Sequence, residues 1–266
     1  MAAENLHRRG VLRRLDWLWM LLAGVVAYLL LLRTLVVTQN PNFLPSLILL
    51  GSTVVPATVL TFATTGGRRG IRVDAGTVAF TAIAGGILGT VAAGTLEYDT
   101  LRALDALPMI MVGMIEEASK IVVPAAVLLI NRRIRWPGAV VLGVASGAGF
   151  ATLETMGYGF AALLNGGLGA LDGTLLLRAL LAPAGHVAWT GLSMAAIGRI
   201  RGTSHRSRAI LVAIAAFIGV VILHALWDAS SSSIVRIVVA LLSFSALMLT
   251  LVIARRAEDR RYAIQS

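Results

Sequence analysis

An all-α bundle of about eight membrane-spanning helices, one integral membrane domain with both termini cytoplasmic, is the fold this 266-residue sequence predicts. Three observations predict it. The first is composition: 58% of the residues are hydrophobic and 14% are charged, where soluble domains average about 45–50% and about 25%. The second is segmentation: eight apolar runs reach the length of about 20 helical residues that a hydrocarbon core demands. The third is arginine placement: 18 of the 22 arginines fall on alternate connections, and cytoplasmic loops are where Lys and Arg collect. That pattern closes only with an even number of spans. The net charge of +10 is thereby explained by topology, and nucleic acid is not an expected partner. The absence of cysteine removes a disulfide framework, a thiol nucleophile, a thiolate zinc site and an iron–sulfur cluster.

The first run, 17–37, follows a stretch with His7, Arg8, Arg9, Arg13 and Arg14. It is too long for a signal peptide and no small-residue cleavage site follows, so it reads as a retained span. Runs 43–65 and 73–95 enclose Arg68, Arg69 and Arg72. Run 106–130 precedes Arg132, Arg133 and Arg135, and run 138–163 follows them. The Gly-rich outer segment 165–173 (NGGLGALDG) is expected to be a flexible loop that gates substrate entry. Run 175–198 leads to Arg199, Arg201, Arg206 and Arg208, and runs 209–228 and 234–254 precede a tail with Arg255, Arg256, Arg260 and Arg261. The outer side receives only Arg33, Arg102, Arg178 and Arg236. Gly85 and Gly89, and Gly143 and Gly147 with Ser146, have the spacing that lets helix backbones approach closely. Pro45, Pro56, Pro124 and Pro183 are expected to kink or break spans locally. Residues 1–105 and 229–266 read as scaffold and tail around a functional core at 106–228.

Charged side chains at membrane depth are functional candidates by default. Seven ionisable residues lie inside the core spans: Glu116, Glu117 and Lys120 on span four, Glu154 on span five, His186 on span six, His224 and Asp228 on span seven. Lys120 is the only lysine of the chain. At about 3 kcal/mol for each charge near the bilayer centre, the set costs on the order of 10 kcal/mol if each member faces lipid alone. The residues are therefore expected to face one another. Glu116 with Lys120, and His224 with Asp228, are four apart and share a helix face. Their depths place one polar cluster between the midplane and the outer interface. Trp136, Trp189 and Trp227 read as anchors or packing.

Two histidines and several carboxylates can hold a divalent metal such as zinc and leave a position for water. Four carboxylates against one lysine leave a formal charge near −3, which a low-dielectric site does not tolerate. Either a cation sits there or carboxyls share protons, and a shared-proton Glu pair suits general acid/base work on water. The residues do not choose between these. No HExxH zinc helix is present, Val144 stands where a GxSx elbow around Ser146 needs Gly, and no GxGD motif occurs. A non-hydrolytic alternative, a proton or cation transporter or an immunity or regulatory protein, uses the same buried acids.

Glu116-Glu117-Ala118-Ser119-Lys120 fits EExxK, Phe150 to Glu154 fits FxxxE, His186 stands alone on the next span, and His224 to Asp228 fits HxxxD. Four such motifs in this order resemble the PrsW family of intramembrane proteases, a distant relative of the CAAX-prenyl protease and Abi group. Glu154 favours the PrsW branch, because the Abi group has His at that position. The resemblance implies a cell-membrane endopeptidase that cuts a membrane-anchored protein, an anti-sigma factor in the characterised setting, on the extracytoplasmic side. It implies that Glu116 and Glu117 activate water, and that Glu154, His186 and His224 are metal ligands or water and oxyanion partners. Asp228 orients His224 or joins the ligands, and Lys120 balances Glu116 or stabilises an oxyanion. Oligomeric state is not implied.

Overall fold

The computed structural model describes residues 15–66 and 70–265. Of the expected cytoplasmic positions, His7, Arg8, Arg9, Arg13, Arg14, Arg68 and Arg69 lie outside the described residues. Eight α-helices follow one another: α1 (Asp16–Thr38), α2 (Leu44–Thr65), α3 (Ala75–Leu104), α4 (Met109–Ile130), α5 (Trp136–Leu181), α6 (His186–Arg199), α7 (Arg206–Ala229) and α8 (Ser233–Gln265). Among the described residues there is no strand. Among the described residues, six segments are apolar and long enough to cross a membrane, one of them the run Trp136–Gly202 that holds α5 and α6. Helix α4 is outside that set. Its 22 residues are long enough, at about 1.5 Å each, but it carries Glu116, Glu117 and Lys120.

The fifth and sixth expected spans differ from the sequence reading. Residues 165–173 are not a flexible loop. Helix runs on both sides of a single non-helical residue, Gly167, at φ 72° and ψ −164°. Only glycine visits that region without strain. The chain doubles back there. A Cβ at Gly143 would meet Gly191 Cα at 3.0 Å, one at Gly147 would meet Val187 Cα at 3.0 Å, and one at Gly159 would meet Leu175 Cδ2 at 3.1 Å. Each pair is centred on Gly167, so α5 is a helical hairpin whose second arm continues antiparallel to the first.

That second arm and α6 together make the sixth crossing, and it is broken. Pro183 lies in a 3₁₀ turn, Ala182–Ala184, and Gly185 follows at φ −103°, ψ −127°. Here the expected proline break occurs. Pro56 and Pro124 instead remain inside α2 and α4.

In lipid there is no hydrophobic drive between helices, and close van der Waals packing of small residues holds them together. The first arm of α5 is the centre of that packing. From Pro137 to Ala148 every residue is buried. Gly85 and Gly86 of α3 abut Ser146 and Gly149, and Gly89 abuts Phe150. The other face of the arm, Gly143 and Gly147, abuts α6. Two arginines of the expected cytoplasmic set also cap helix ends, where the last carbonyls lack intrahelical partners. The Arg201 guanidinium donates to the Leu128 and Leu129 carbonyls of α4, and Arg255 Nη2 donates to Phe62 O of α2 at 2.6 Å. At the other end, Tyr28 of α1 donates to Asp172 of the second arm at 2.5 Å.

Candidate active site

Helix α4 brings Glu116, Glu117 and Lys120 inside the bundle, at 8%, 0% and 0% exposure. The Lys120 ammonium lies 2.7 Å from Glu117 Oε1, 2.9 Å from Glu116 Oε2 and 4.1 Å from the centre of the Phe150 ring. The backbone of Lys120 has its own problem. Pro124 stands four residues later and has no N–H to give to the Lys120 carbonyl. Ser146 supplies the missing donor across the helix interface, Oγ to Lys120 O at 2.7 Å.

His186 opens α6 directly after the break at Ala182–Gly185. Its Nδ1 is 2.7 Å from Lys120 Nζ and its Nε2 is 2.8 Å from Glu154 Oε2. An ammonium only donates, so Nδ1 is the acceptor and Nε2–H donates to Glu154. His224 of α7 is 1% exposed. Its Nδ1 is 2.9 Å from Glu117 Oε1, and its Nε2 is 3.1 Å from Asp228 Oδ2 and 3.6 Å from Glu116 Oε2. Trp189 is no interfacial anchor. It is fully buried, stacks on His224 at 4.7 Å between ring centres, and donates Nε1–H to Ser243 Oγ of α8 at 2.9 Å.

All seven expected residues thus converge, from α4, α5, α6 and α7. Glu116, Glu117, His186 and His224 form an inner set: one donor atom from each lies within 4.8 Å of the others. Glu154 and Asp228 stand behind this set, each against one histidine. This is the arrangement of a carboxylate that orients a metal-binding imidazole. Among the described residues, Glu117 Oε2 is buried without a hydrogen-bond partner, and Glu116 Oε2 meets Lys120 only as an ion pair. Two imidazoles beside one buried carboxylate oxygen without a partner and one held only by an ion pair fit a divalent cation of the zinc type.

Arg178 also belongs to the site, although its place along the chain counts it among the outer-loop arginines. The hairpin at Gly167 returns it to the first arm of α5. There it forms an ion pair with Glu154, donates Nε–H to Thr155 Oγ1 at 3.0 Å and lies 4.2 Å from the Tyr158 ring centre. The available signal is its near-equal spacing with Glu154 about a Gly-rich turn. With Arg178 counted, four carboxylates face two fixed cations. The formal charge is −2 with neutral histidines, the amount that one divalent ion cancels. Ser146, which holds the Lys120 carbonyl, is a further neighbour whose role motif spacing alone does not reveal.

A family model described as PrsW family intramembrane metalloprotease matches residues 73–254, which contain every residue of the cluster. No match to the chain was found among curated proteins or solved structures.

Proposed function

The chain belongs to the PrsW family of intramembrane metalloproteases, a peptidase family whose substrates are anchored in the bilayer, and from that premise we propose how its residues hydrolyse a peptide bond. The observation that carries the reading is the inner set itself, four donor residues from three helices within 4.8 Å. Glu117, His186 and His224 would hold a divalent ion, with zinc the best fit to two imidazoles and a carboxylate. Such an ion supplies Lewis acidity and a water that ionises near neutral pH.

Glu116 takes the proton of the attacking water at Oε2, the oxygen of the cluster partnered by charge alone. As the water oxygen bonds to the carbonyl carbon and the C–N bond then breaks, Glu116 returns that proton to the amine nitrogen. Lys120 pairs with Glu116 and offers its ammonium to the oxyanion that develops. Glu154 and Asp228 fix the two imidazoles from behind, and Arg178 fixes Glu154. Phe150 and Trp189 wall the site from the core, which keeps the charges in low dielectric.

The cluster lies near the ends of α4, α6 and α7 away from the arginine-rich connections. By the arginine rule this is the outer half of the cell membrane, so the proposed substrate is a membrane-anchored protein cut toward its extracytoplasmic side, an anti-sigma-like regulator by resemblance. A proton or cation path through the bundle would need ionisable groups onward to the cytoplasmic end, and between the cluster and the arginines α4, α6 and α7 carry no Asp, Glu, Lys or His. The test is cleavage of a single-span reporter in liposomes by wild type and by Glu116→Gln. Loss of more than about 100-fold in a folded variant is expected for a general base. Wild-type rates in Glu116→Gln would refute the assignment.

A further inference from the structure

A second polar site lies at the opposite end of the bundle. Arg72 of the α2–α3 connection, Arg133 and Arg135 of the α4–α5 connection and Arg261 of α8 line one cleft of about 180 Å³, with Asp74 and Glu258. Local structure brings these stretches together. Asn131 folds the α4–α5 connection, with its Oδ1 accepting from Arg133 N at 3.1 Å and its carbonyl from Ile134 N at 3.2 Å. Gly138 then lets the two connections touch: a Cβ there would meet Ile134 Cγ2 at 2.8 Å and Val73 Cγ2 at 3.2 Å.

The charge of the cleft is unbalanced. Apart from Arg72, three guanidiniums face two carboxylates, and one of these, Asp74, is committed to capping α3 through Thr77 N at 2.9 Å. Among the described residues, Arg261 Nε is buried without a hydrogen-bond partner. Topology accounts for arginine on this side of the membrane. It does not account for arginines from three separate stretches meeting in one cleft. Depth is informative as well. Glu258 and Arg261 lie four and seven residues beyond Ala254, the last buried apolar residue of α8, or about 6–10 Å along the helix. By the arginine rule this end of the bundle faces the cytoplasmic headgroup layer, about 5–8 Å thick on each side of the hydrocarbon.

We propose that this cleft binds a phosphate-bearing anion, held by the arginine forks of the α4–α5 connection and α8. Planar guanidinium recognises phosphate oxygens in pairs, which a point charge does not. Two sources carry this chemistry: the phosphodiester of an anionic phospholipid in the adjacent leaflet, and free inorganic phosphate. Basic pockets between helices at this depth suit the former. Either anion ties together the inner ends of α3, α4, α5 and α8, two of which carry Glu116, Glu117 and Glu154.

The test uses the full chain, delipidated in neutral detergent, beside R133K/R135K and R261K. These variants keep the charge and the topogenic signal and lose the fork. Thermal unfolding is followed in phosphatidylcholine bicelles, in bicelles with phosphatidylglycerol, and in inorganic phosphate against chloride at equal ionic strength. Wild-type Tm is expected to rise about 5–10 °C at saturating ligand, and the rise is expected to fall by half or more in the lysine variants. A rise with phosphatidylglycerol alone assigns a lipid, and one with low-millimolar phosphate assigns the free anion. No rise with either, or equal rises in wild type and in whichever lysine variant folds with wild-type Tm, would overturn the site.

Discussion

Replacing Arg178 with Gln isolates the support behind His186. The guanidinium pairs with Glu154 Oε2, the same oxygen that accepts from His186 Nε2 at 2.8 Å. The two side chains are 26% and 19% exposed, so the pair is largely but not wholly withdrawn from water. Without Arg178, Glu154 loses the cation that fixes its rotamer, and the Nε2–H of His186 loses a fixed anionic acceptor. Nδ1 of His186 then no longer faces the inner set in one orientation. Removing a support of this kind typically lowers metal affinity or activity about 10–100-fold, or about 1.4–2.7 kcal/mol. The substitution Arg178→Lys keeps the charge without the bond to Thr155, so the expected order is wild type, Arg178→Lys, Arg178→Gln. Metal affinity by chelator competition and kcat/KM on a single-span reporter are measured on the same preparations, with Tm as the control for folding. A folded Arg178→Gln with wild-type metal affinity and wild-type kcat/KM would refute the positioning role.

Gly167→Ala tests the hairpin. Nothing lies within 4 Å of the added Cβ, so its cost is backbone strain alone, about 1–3 kcal/mol, and Tm is expected to fall while an alanine at Gly169, which has equal space, leaves it unchanged. Ser146→Ala leaves the Lys120 carbonyl without a donor and is expected to cost about 1–3 kcal/mol, read as a loss in Tm; an unchanged Tm would refute that role. Lys120→Met removes an ammonium that contacts three of the four inner residues. Competition for those donors predicts metal affinity at or above that of wild type with cleavage lost. Weaker metal binding in this variant would show that Lys120 assists the ion instead.

Much of the fold was legible because a bilayer imposes simple rules. Length of apolar run and arginine placement located the crossings, and the cost of buried charge required the seven ionisable residues to meet. What stayed hidden follows from packing. The glycines of 165–173 look like a loop, yet a helix tolerates most of them when Leu171 and Leu175 pack against Gly159, and only Gly167 leaves helical geometry. Arg178 counted as an outer charge because its partner lies across the Gly-rich turn, and only the register of the two arms brings the pair together. Pro183 announced a break, but not that His186 would begin the helix after it. The pairing of Ser146 with the carbonyl that Pro124 leaves open needs the register of α4 against α5, which periodicity does not give.

Metal content of the detergent-purified full chain, beside His186→Ala and His224→Ala, tests the central claim most directly. The account predicts about one divalent ion per chain in wild type, lost from both folded variants. A metal-free wild type that still cleaves its reporter, or an ion retained at wild-type stoichiometry in both variants, would contradict it.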